Sequence, residues 1–148
     1  MTRYVLDTNV YIRAWRNPAA QGAELERFSE RHMAMTHLSS VVFHELLRGA
    51  TAPAMARDLV GSLARPFIRT KRVVVPSHRA WTRAAEVIAE LTWHDRLDRG
   101  SLPAGFANDV LIAAACRENG LTLITENERD FRRIQKRMKF DFVAPWPA

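Results

Sequence analysis

Short apolar runs, most of them closed by a polar or turn-forming residue, alternate along this chain with stretches of helical periodicity. That alternation constrains the fold more than any other feature, because it is the pattern laid down by successive βαβ units. Arg3 to Leu6, Met33 to Leu38, Arg72 to Val75, Leu121 to Thr125 and Phe140 to Val143 read as buried strands. Between them lie helices. Val10 to Trp15 is short, and Ala20 to Arg31 is amphipathic with Leu25 and Phe28 inward. Ser39 or Ser40 caps a helix carrying Val42, Phe43, Leu46 and Leu47, which Gly49 ends. Pro53 to Ala64 is helical up to Pro66, and Ser77 caps a long helix reaching about Trp93. His94 to Phe106 reads as a loop, Ala107 to Asn119 as a helix stopped by Gly120, and Asn127 to Arg137 as a turn and short helix. The expected fold is α/β, a single domain over residues 1–148 with a mostly parallel sheet of about five strands.

Four acidic residues stand where an apolar segment ends or a helix begins: Asp7, Glu45, Asp109 and Asp130. Carboxylates among Leu, Val and Ile are costly to bury unless a positive charge lies between them. Hard divalent cations fill that role through oxygen ligands. Ligands of open α/β sheets bind beyond the carboxyl ends of the strands. Asp7 ends the first strand there, and Asp130 lies in the block that follows the fourth. Glu45 and Asp109 approach from early positions on helices, so the topology allows all four to converge.

The rest of the chain is basic, with a formal net charge of +6. An acidic pocket in a basic chain points to a polyanionic partner. Arg69, Lys71 and Arg72 form one basic group; Arg129, Arg132, Arg133, Lys136, Arg137 and Lys139 form a second. The second group reads either as a set of phosphate contacts or as a solvated helix face, and Arg48 either reaches a phosphate or pairs with an acid. One cysteine excludes an internal disulfide and a Cys-rich zinc site. No stretch approaches the roughly 18 apolar residues of a membrane span, and a cytoplasmic protein is expected. Other chemistries fail on their motifs. His44-Glu45-Leu46-Leu47-Arg48 has Arg48 where a zinc-protease helix needs its second histidine. Phosphate-binding glycine loops are absent, and Cys116 sits in an alanine run as a small core residue. The four tryptophans read as packing residues, with base stacking open to an exposed one.

Asp7-Thr8-Asn9, His44-Glu45-Leu46, Asn108-Asp109 followed by Ile112-Ala113-Ala114, and Thr125-x-Asn127-x-x-Asp130-Phe131 together resemble the four signature blocks of the PIN domain. More narrowly, the chain resembles the VapC-type toxins of bacterial toxin–antitoxin pairs. The resemblance implies a PIN-like three-layer α/β/α domain and a Mg²⁺- or Mn²⁺-dependent endoribonuclease. In such an enzyme the cation lowers the pKa of a bound water and neutralises the scissile phosphate. By match to the motif, Asp7, Glu45 and Asp109 are the core metal ligands or water-positioners, and Asp130 is the candidate fourth acid. Asn9, Thr125 and Asn127 are supporting residues that hold a metal-bound water or orient a carboxylate. Glu126 and Glu128 compete with Asp130 for the fourth place. RNA contacts are expected from Arg48, Arg132, Arg133, Lys136 and Arg137.

The resemblance also implies a VapB-like antitoxin as partner and a homodimer. The apolar helices around Leu25, Phe28, Val42, Phe43, Leu46 and Leu47 offer either a partner groove or simply core. Two other functions stay open at this stage. One is a PIN-like nuclease for RNA processing or flap cutting; the other is a non-catalytic nucleic-acid-binding module.

Overall fold

The computed structural model describes residues 1–148. Five parallel strands form one sheet in the order β3-β2-β1-β4-β5. They are β1 (Tyr4–Leu6), β2 (Thr36–Ser39), β3 (Val73–Val74), β4 (Thr122–Ile124) and β5 (Asp141–Val143). β1 is central because it is buried throughout, Val5 having no exposure and Leu6 only 2%. Such a strand must be covered on both faces, and parallel sheets require that.

Helices α1 (Thr8–Arg16), α2 (Ala23–His32), α3 (Ser40–Arg48), α4 (Pro53–Asp58) and α5 (Arg65–Arg69) lie in the β1–β2 and β2–β3 crossovers. Helices α6 (His78–His94), α7 (Phe106–Asn119) and α8 (Glu128–Gln135) lie in β3–β4 and β4–β5. The first pair of crossovers steps one way along the sheet and the second pair steps back. With right-handed connections, the two groups of helices fall on opposite faces. The packing agrees: α1 meets α2 and α3 on one side, while α6 meets α7 and α7 meets α8 on the other. The result is a three-layer α/β/α fold.

Helix α7 is the hinge of the core. Val110 to Cys116 are all buried, so it has almost no solvent face. Ser77 caps α6 by accepting from the Ala80 N–H at 3.1 Å, and its hydroxyl and N–H both donate to Glu118 on α7. The start of α6 is thereby tied to the end of α7.

The chain departs from the sequence reading in three places. Met33 to Met35 form a 3₁₀ turn, and β2 starts only at Thr36. Pro66 does not end the helical segment; a π-helical turn over Leu59–Ala64 lies directly ahead of it and the chain stays helical through α5. Trp15, Trp81 and Trp93 are exposed rather than packed, at 41%, 59% and 69%. Trp146 packs, its ring 5.3 Å from that of Phe28, and Trp15 keeps one side against Tyr11 at 5.8 Å.

Candidate active site

The order of the sheet reverses at β1 and β4, which are neighbours although their connections run in opposite directions. A crevice opens at the carboxyl ends of strands at such a point. Asp7 and Thr125 leave those two ends side by side, and the Asp7 N–H still pairs with the Ile124 carbonyl at 2.9 Å.

Asp7 is 3% exposed and caps α1, its Oδ1 accepting from the Thr8 N–H at 2.8 Å. Its Oδ2 accepts from the Thr125 hydroxyl at 2.7 Å and from Asn9 Nδ2 at 3.2 Å. The Thr125 hydroxyl in turn accepts from Asn9 Nδ2 at 3.3 Å and from the Asn127 N–H at 3.0 Å. One donor and two acceptor positions are thus filled, which is all a hydroxyl offers. Asn9 Oδ1 accepts from the Glu126 N–H at 3.2 Å, closing the link between α1 and the turn after β4. Burial pushes the Asp7 carboxyl above the usual carboxylate range; the Thr125 and Thr8 hydrogen bonds oppose the rise, and the Glu45 charge adds to it.

Glu45 enters from α3 and accepts a hydrogen bond from the Thr8 hydroxyl at 2.8 Å. The sequence reading assigned Thr8 no role. Its place between Asp7 and Asn9 is the only signal, and that signal cannot say where a hydroxyl points. Gly105 is a second residue the reading missed. Its φ of +88° makes the turn into α7, a conformation that side chains other than glycine rarely adopt. Its carbonyl accepts from the Asp109 N–H at 2.9 Å, and a β-carbon at this position would come within 3.6 Å of Glu45 Oε2.

Asp109 stands in the first turn of α7, where the helix dipole favours a carboxylate. Yet its carboxyl is pushed up to about 8. Burial is the largest cause, followed by the charges of Asp7, Glu45 and Asp130. Carboxylates from the end of β1, from α3 and from α8 therefore act together on Asp109 in a half-buried space. No three acidic, histidine or cysteine side chains are drawn into a closed metal-holding set. Carboxylates that repel one another do not draw together unaided, and an all-oxygen anionic donor set of this kind suits a hard cation.

The turn after β4 sorts its three acids. Glu126 is drawn away by Arg13 at 2.6 Å, and Glu128 pairs with Arg132 at 2.5 Å. Asp130 faces Asp109 instead, its Oδ2 accepting from Asn127 Nδ2 at 3.0 Å. The basic residues sort as well. Arg132 is tied to Glu128, and Arg137 holds Asp95 through two hydrogen bonds of 2.7 and 2.8 Å. Arg133 and Lys136 line a cleft that begins at Asp130. Arg48 is exposed in the last turn of α3 and enters no ion pair.

Residues 4–137 match the PIN domain family. The tRNA(fMet)-specific endonuclease VapC of Shigella flexneri is 30% identical over 135 residues, 90% of this chain and 93% of the relative. The chain belongs to the PIN-domain family, on its VapC branch. Solved structures share the fold. The DNA-bound VapBC of Salmonella typhimurium has a TM-score of 0.68 at 24% identity, covering 97% of this chain and 98% of that one. VapBC2 of Rickettsia felis, bound to a promoter DNA fragment, has 0.64 at 23%, covering 99% and 100%.

Proposed function

We propose that this chain is a Mg²⁺- or Mn²⁺-dependent endoribonuclease that acts as the toxin of a toxin–antitoxin pair. The observation that carries the reading is the convergence of three other carboxylates on the half-buried Asp109, where their charges add to burial in pushing its carboxyl up. Such mutual repulsion has no structural use, since apolar residues would fill the space at lower cost. A divalent cation between the acids removes the repulsion.

Asp7, Glu45, Asp109 and Asp130 are the residues to hold the cation. When bound, it supplies a nucleophilic water at neutral pH and offsets charge on the scissile phosphate. The chain's own residues do the rest. Thr125 and Asn9 fix Asp7 through hydrogen bonds to its outer oxygen. Thr8 fixes Glu45 through one carboxylate oxygen, and the other lies beside Gly105. Asn127 orients Asp130 in the same way. Holding the acids in this manner lowers the reorganisation required when a phosphate arrives.

A VapB-like antitoxin partner is supported by the kinship with chains solved as VapBC complexes. The surface for it differs from the sequence reading. Phe28, Val42 and Leu46 are buried, and Leu25, Phe43 and Leu47 pack against the core. An apolar cleft of about 470 Å³ opens instead between Trp15, Met55, Leu59 and Leu63, of a character to take an apolar peptide face. A homodimer belongs to the same reading. The testing experiment is cleavage of a labelled RNA in Mn²⁺ by the wild-type chain and by Asp7→Asn. Cleavage by the first alone supports the nuclease; none by either removes it.

A further inference from the structure

A cleft of about 590 Å³ continues from Asn127 and Asp130 along α8 to the segment between α6 and α7. Its size is that of a small-ligand site. Leu97 and Pro103 give it apolar wall above the buried Leu91, and Arg96, Arg129, Arg133 and Lys136 give it charge. None of these four cations enters an ion pair. Three carboxylates also line it: Asp95 is already neutralised by Arg137, while Asp98, which accepts the Gly100 N–H at 2.9 Å, keeps its charge, leaving four cations against two acids. The third is Asp130, which belongs to the acidic site. The cleft therefore keeps a positive excess directly beside four acids. Positive walls with an apolar surface between them suit a nucleotide, whose phosphates are anionic and whose base is flat and apolar on its faces.

Arg96 stands out. Its φ of +57° places a non-glycine residue in the left-handed region, which L side chains rarely adopt. No hydrogen bond or ion pair within the chain compensates, because its guanidinium reaches no acceptor here, while Arg133 lies 6.0 Å from the buried Phe106 ring.

Resting on the reading as a ribonuclease, we propose that this cleft seats the nucleotide of single-stranded RNA that flanks the scissile bond. Arg96 and Lys136 hold its phosphates, and the Leu97–Pro103 wall receives its base. Each phosphate contact to a single strand contributes about 0.7 to the slope of log K against log salt, and so about fivefold in affinity near 0.1 M salt.

The test uses the full chain carrying Asp7→Asn, which binds without cutting, and a fluorescent single-stranded RNA oligonucleotide titrated at several salt concentrations. Adding Arg96→Gly is expected to weaken binding about fivefold and lower the slope by about 0.7, and adding Lys136→Ala as well doubles the slope loss. Glycine relieves the positive φ, so the melting temperature should hold or rise, which separates lost contact from lost fold. Arg132→Ala, whose guanidinium is tied to Glu128, should leave affinity nearly unchanged. If the RNA is bound and the wild-type chain cuts it, but the cleft variants keep full affinity and slope, the cleft inference alone falls. If the chain neither binds nor cuts RNA, the ribonuclease reading falls and takes this one with it.

Discussion

Replacing Asp109 by Asn should stabilise this protein in the absence of divalent cations, the reverse of the usual outcome for a half-buried polar residue. The carboxyl is raised from 3.8 to about 8. Burial is the main cause, with Asp7, Glu45 and Asp130 adding repulsion. A raised folded-state pKa means that the native protein holds a proton the unfolded chain has released. The associated stability is complete below about pH 4, declines as pH rises, and is gone above about pH 8. Four units at about 1.4 kcal/mol each set an upper bound of about 5–6 kcal/mol. Relaxation and solvent entry reduce this to about 2 kcal/mol, worth about 4–8 °C in a domain of this size. The assay is thermal unfolding at pH 9 in EDTA, then with Mn²⁺. Asp109→Asn should melt higher than wild type in EDTA, while Mn²⁺ should raise only the wild type. A variant that melts several degrees lower in EDTA, or a wild type indifferent to Mn²⁺, would refute the argument that the four acids form one repelling cluster.

Further outcomes follow from the same geometry. Asp7→Asn should abolish RNA cleavage with a far-ultraviolet spectrum like wild type, since the amide keeps the side-chain volume. Asp130→Asn should lower kcat by tenfold or more, whereas Glu126→Gln and Glu128→Gln should keep most activity, because Arg13 and Arg132 hold those acids elsewhere. Thr8→Val, which removes the donor to Glu45, should lower kcat while urea denaturation shows a loss of only about 1 kcal/mol. Phe131→Ala should cost about 3–5 kcal/mol in the same denaturation, since its ring has no exposure and stands against Phe140 and Phe142.

The sheet was legible because each strand is a short apolar run with its own punctuation, and period and length survive without knowledge of the partner strands. Pro66 was misread because a proline inside a helical run need not end it; here a π-helical turn directly ahead of it alters the backbone pairing and the chain stays helical to Arg69. The acids were legible as apolar-flanked carboxylates and as blocks of a family pattern. Their sorting was not. Whether Glu126, Glu128 or Asp130 turns inward depends on Arg13, more than a hundred residues away, and on Arg132 one helical turn on. The basic residues near the C-terminus share that difficulty, since Arg137 looks free until Asp95 is placed beside it. Trp15, Trp81 and Trp93 misled for a related reason. Hydrophobicity predicts burial on average, but a helix face left bare looks the same in sequence as one that is covered.

The most direct test of the central claim is calorimetric titration of the wild-type chain with Mn²⁺ at pH 7 in two buffers of different ionisation enthalpy. Cation binding should release about one proton, because Asp109 holds one until the cation displaces it. The buffer dependence should vanish in Asp109→Asn. Binding with no proton release, or no binding at all, would contradict the assignment of these four carboxylates to a single cation site.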